Sequence, residues 1–125
     1  ERPIPEQLHA IAAEITAYLK RVMPRLAVLR AAGVSPMEAW KHYDAPPPIL
    51  IHRALTVWLS RALELGRLRD CDPSHVASAF MGALQAQAIL RMAGKPVASA
   101  AETQSYIEQL VRIFWVGLSP PSESP

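Results

Sequence analysis

Apolar residues recur along this chain at intervals of three and four, and nowhere in sustained alternation, so the pattern predicts helices and no strands. Leu8, Ile11, Ile15, Leu19 and Val22 form one stripe, predicting a first helix from after Pro5 to about Met23. Pro24 lacks a backbone N–H and predicts a kink or a fresh helix start there. Leu26 and Leu29 carry the stripe on to Ala32, where Gly33 supplies a stop. Ser35 and Pro36 have the chemistry of an N-cap and first helical residue, for a short helix holding Met37 and Trp40 with Glu38 near its positive end. The prolines Pro46, Pro47 and Pro48 exclude helix through 44–47 and predict a stiff connection. The next helix should start near Pro48 and end at Gly66, with Ile51, Leu55, Trp58, Ala62 and Leu65 inward. Asp72 and Pro73 pair a cap residue with a proline at the first helical position, opening a helix to Met92 that Gly94 and Pro96 stop. A last helix should run from about 101–103 to Gly117, leaving 121–125 as a frayed tail. The expected fold is an all-α bundle of five or six helices over 1–120.

The run 76–90 carries no charge at all. On a helix, Val76, Phe80, Ala83, Leu84, Gln87 and Leu90 form one stripe, and Ala77, Met81, Ala88 and Met92 form a second. The last helix is similar: Ile107, Leu110, Val111, Phe114 and Leu118 lie on one side, Tyr106, Ile113 and Gly117 on another. Two helices apolar on two sides cannot both be central in a domain of this size. Pairing them with a second copy, as a four-helix interface across a two-fold axis, covers both second faces. The expected contacts are Ala77, Met81, Gln85, Ala88, Met92, Tyr106, Leu110, Ile113, Phe114 and Gly117. A monomer with one central helix is the simpler alternative.

Composition narrows the class. The chain has 125 residues, half of them apolar, enough for one domain and too few for two. The net charge of +2 is spread without a basic run, which argues against nucleic-acid binding by this chain alone. Cys71 is the single cysteine, so no internal disulfide forms, in keeping with a reducing cytoplasm. No signal-peptide pattern opens the chain, and the uncharged run is too short to span a membrane.

Chemical motifs are few. His42, Asp44 and His52 match no common metal spacing, and Cys71 and His75 stand four apart across a helix start with no third orienting group. There is no phosphate loop, nucleophile elbow or His-Glu-x-x-His pattern, so no catalytic residue, metal or cofactor is expected. Glu14, Glu38 and Glu64 have the placement of solvated helix faces.

The stretch "ALTVWLSRALELGRLRDCDPSHVASAFMGALQAQAILRMAG", followed by "YIEQLVRIFWVGLSP", resembles the C-terminal half of TetR-family transcriptional regulators. The resemblance rests on the turn Gly66-Arg67-Leu68-Arg69, the start Asp72-Pro73, Gly82-Ala83-Leu84, the ending Gly117-Leu118-Ser119-Pro120, and "VMPRLAVLRAAG" as a kinked early helix. It covers roughly Leu8 to Pro120. It implies a homodimer formed through the last two helices and a small-molecule pocket among the earlier ones. The family's DNA-reading helix-turn-helix would precede this stretch and has no counterpart in it. The expected pocket residues are Leu19, Met23, Trp40, His52, Leu55, Trp58, Phe80, Leu84 and Gln87, with Thr56 a further polar candidate. A hydrophobic or amphipathic effector suits them. Gln87 is the sharpest, since an amide on a core stripe needs a partner. The alternative for these residues is plain core, within a ligand-free dimerisation or adaptor module; a small helical enzyme is a third reading.

Overall fold

The computed structural model describes residues 2–41 and 45–121, and all regular structure among them is helical. Five helices follow in order: α1 (Ile4–Ala31), α2 (Pro36–Ala39), α3 (Pro47–Glu64), α4 (Pro73–Met92) and α5 (Ala100–Leu118). α4 sits against both α3 and α1, α1 also packs on α5, and α2 leans on α1. Phe80 of α4, Leu8 of α1 and Leu59 of α3 are the largest fully buried side chains and mark the centre.

Local chemistry sets the helix ends. Asp72 caps α4, its Oδ1 accepting the backbone N–H groups of Ser74 (2.9 Å) and His75 (3.2 Å). Ser99 and Glu102 form a reciprocal capping box on α5, each side chain accepting the other's backbone N–H at 3.1 Å. The Ser99 backbone N–H, and then its side chain, hold the Glu102 carboxyl below its ordinary pKa. Gly66 ends α3 at φ +72, letting its N–H reach Leu63 O while Arg67 N–H reaches Ala62 O. This turn then drives Leu68 into the core and places Arg69 across the end of α5. The Arg69 backbone N–H donates to Leu118 O (2.7 Å) and its Nε to Ser119 O (3.2 Å). Carbonyls that a helix end leaves unpaired thus gain donors.

Three expectations change. α1 runs unbroken through Pro24 rather than restarting there. The proline removes one N–H, the one that would meet Lys20 O, and the flanking turns hold the helix together. α3 opens at Pro47, not Pro48, because the N–H groups missing from Pro47 and Pro48 fall in the first turn, where none is needed. Leu65, expected inward, is exposed just past the end of α3. The stretch 42–44 and most of the expected tail, 122–125, lie outside the described residues.

The stripes of α4 also need correction. Ala77, Met81 and Ala88, expected on an outer face, are buried, as is Leu110 of α5. α4 is covered from α3 and α1 together, so its inward sector is wide enough to include both predicted stripes. Leu90 and Met92, at the last turn, are exposed.

Phe80 joins the two C-terminal helices by an edge-to-face contact with Phe114, with ring centroids 5.1 Å apart and planes at 84°. Nearby, the Tyr106 hydroxyl donates to Ala83 O at 2.6 Å. Replacing Phe80 with Ala removes a fully buried ring and should lower unfolding stability by about 4 kcal/mol. Urea denaturation checks this; a loss under about 1 kcal/mol would mean that Phe80 is not the centre of the core.

Candidate functional site

α1 and α3 do not close on each other along their outer sides. They enclose an open cleft of about 940 Å³, roofed in part by Ala39 and Trp40 at the end of α2. The floor is apolar: Ile11, Ile15, Val22, Leu26 and Leu29 from α1, with Leu50, Ile51, Leu55 and Trp58 from α3. Among the described residues the polar side chains in the lining are Glu14, Tyr18, Arg21 and Arg25, all on one side of α1. Trp58 is fixed by its indole N–H, which donates to Gln7 Oε1 at 3.0 Å. The volume lies within the usual range of small-molecule sites, and an apolar floor with few polar groups is their usual character.

Of the nine residues expected to line a pocket, Trp40, Leu55 and Trp58 do so here. Leu19 and Phe80 are core, and Met23 packs against it. His52 points away, towards α4: its Nε2 is 3.2 Å from Ser74 O and 3.1 Å from Ser78 Oγ, tying the two helices. Thr56 is engaged with the His52 carbonyl at 2.7 Å. Leu84 and Gln87 border a separate hollow of about 350 Å³ between α1, the end of α4 and the start of α5. The polar residues of the main cleft were missed because charged positions on α1 look like a solvated face. Only the pairing of α1 with α3 turns that face into a cleft wall.

A second feature lies on α4 and α5. Ala79 and Gly82 are exposed, Ala86 is half-buried, and Ile89 is exposed on the same side of α4. Ile113 (67% exposed) and Val116 (73% exposed) stand out from α5, with Gly117 beside them. Of the ten residues expected at an interface, Ile113 and Gly117 lie here. Tyr106, Phe114 and Gln85 are half-buried, and Met92 is exposed at the helix end. A Cβ added at Gly82 or Gly117 would meet nothing within 4 Å, so packing inside the chain does not require glycine at either position.

Residues 6–116 match the family described as the AefR-like transcriptional repressor, C-terminal domain. No curated protein and no solved structure matches the chain. No described helix is long and apolar enough to cross a membrane, and no metal-binding cluster occurs among the described residues.

His75 is directed to Asp72, its Nδ1 lying 3.5 Å from Asp72 Oδ2 at an exposed corner. Partial burial, and then the negative charges of Asp70 and Asp72, push the Cys71 thiol above its ordinary pKa. The thiolate is therefore scarce at neutral pH. Ellman's reagent should modify Cys71 more slowly than free cysteine at pH 7, and the gap should narrow as the pH rises. Equal rates at neutral pH would contradict this environment.

Proposed function

This chain belongs to the family of AefR-like transcriptional repressor C-terminal domains, within the TetR-family regulators, and from that premise we propose that it is the effector-sensing and dimerising part of such a repressor. The family is regulatory rather than catalytic. The observation that carries the sensing half is the cleft of about 940 Å³ between α1 and α3, lined mostly by apolar residues. The DNA-reading activity is assigned to a part of the regulator outside this stretch, acting in the cytoplasm.

Sensing would work as a population shift. An effector that binds one arrangement of α1 and α3 better than another draws the molecule into it. The outer half of α1 is suited to such a change. Beyond Leu19 none of its residues is fully buried, and Pro24 removes a backbone hydrogen bond there. Pro24→Ala restores that bond and should alter the effector response of the intact regulator; an unchanged response argues against α1 as the moving element.

Dimerisation is assigned to the outer face of α4 and α5. Glycine in mid-helix costs about 1 kcal/mol relative to alanine, and Gly82 has no reason for it within its own chain. A partner helix in close approach across Ala79, Gly82 and Ala86 would supply one. Ile113 and Val116 would then be covered, removing two exposed side chains from water. Sedimentation should give the mass of two chains, and Ile113→Glu should reduce it to one while helix content is kept. A wild-type chain that stays single at high concentration overturns the assignment.

The cleft is tested with the uncharged dye Nile red. It should bind saturably, one per chain. Ala54→Trp, which grows an exposed wall residue into the void, should weaken it by about tenfold, equivalent to about 1.4 kcal/mol, without lowering Tm. Binding unaffected by this substitution would place the dye elsewhere and remove the support for sensing.

A further inference from the structure

We infer that the cleft takes a small amphipathic anion, with its apolar body along the Ile11–Trp58 end and its acidic head at Arg21 and Arg25. The inference rests on the reading of the cleft as the effector site and adds the charge of its ligand. Arg21 and Arg25 stand one turn apart on the same side of α1, both exposed and both lining the cleft. Neither has an ion-pair or hydrogen-bond partner among the described residues. Two like charges at this spacing repel each other and weaken the helix that carries them. An anion between them removes the repulsion, and paired guanidinium groups suit the forked geometry of a carboxylate or phosphate.

Among the described residues the acidic group in the lining is Glu14, and it does not neutralise the pair. It stands two turns earlier, about 10 Å along the axis from Arg21 at about 1.5 Å per residue, further than the screening length of about 8 Å at physiological salt. Leu26, Leu29 and Trp40 continue the apolar lining past the arginines, but its buried members, Ile15 and Leu55, lie the other way. Ile11 and Ile15 of α1 face Leu55 and Trp58 of α3, and Trp58 is held there by Gln7. From Arg21 back to Ile11 is about 15 Å along α1. The cleft therefore sets two cations part-way along a mostly apolar wall, with its buried apolar stretch on one side of them. A neutral apolar molecule would leave the arginines uncompensated, and a cation would be repelled by them.

The test uses three molecules of one tail and different heads: decanoate, decanol and decyltrimethylammonium, each kept monomeric and read by displacement of Nile red. Decanoate should bind about fivefold tighter than decanol, the range of two exposed ion pairs, with the ammonium weakest. Added salt should compress the difference. The double variant Arg21→Gln/Arg25→Gln should bring decanoate down to decanol while Nile red still binds, helical circular dichroism is kept and Tm does not fall. Arg21→Lys/Arg25→Lys should restore part of the preference. Arg53→Gln, which removes the same kind of charge from an exposed α3 position outside the cleft, should leave it intact. Equal binding of acid and alcohol, preference for the ammonium, or an unmoved double variant overturns the anionic head while leaving the effector cleft standing. If neither Nile red nor any of the three binds, the cleft reading itself fails.

Discussion

The rest of the structure depends on the need to cover α4. It holds no charged residue from Val76 to Leu90, so almost every direction around it has to be kept from water. α3 and α1 pack on it, and α5 is joined to it by the Phe80–Phe114 contact and the Tyr106 hydrogen bond. The turn after α3 completes the arrangement, with Leu68 inside and Arg69 donating to the last carbonyls of α5. What remains uncovered on α4 includes Ala79, Gly82 and Ile89 on one side, and Leu90 and Met92 at its last turn; the face assigned to a second copy is the Ala79–Gly82–Ile89 side.

α1 has two duties on two sides. Ile4, Leu8, Ala12, Ile15 and Leu19 go into the core, and none beyond Leu19 does. Ile11, Glu14, Tyr18, Arg21 and Arg25 line the cleft. Its first half is anchored by burial and its second half chiefly by its own hydrogen bonds and by α2. A helix fixed at one end and lightly held at the other can respond to what lies between it and α3 without disturbing α4.

Much of this was legible in the residues. Asp72 with Pro73, and the glycines at 33, 66 and 94, mark ends by local chemistry, and the structure uses them so. The helix count and type followed from spacing. The outward sector of α4 did not, because periodicity locates a face only by contrast, and a helix without charges offers none. Ala77 and Met81 were therefore placed outside, while Ala79 and Gly82 are the exposed ones. The cleft was legible only at its aromatics, Trp40 and Trp58. Arg21 and Arg25 looked solvated, and they are exposed; their shared role arises from the distant pairing of α1 with α3, which no local pattern encodes.

The cleft and the core have few residues in common. Of the cleft residues only Ile15 and Leu55 are buried members of the core. Substitutions at the cleft's exposed positions, Glu14, Arg21, Arg25, Leu50 and Ala54, change shape and charge where stability is little affected, since surface changes generally shift it by no more than about 0.5 kcal/mol. If the cleft is the effector site proposed above, chemical preference is thus separable from folding. Descendants of this sequence are free to diverge in what they recognise while keeping the same bundle.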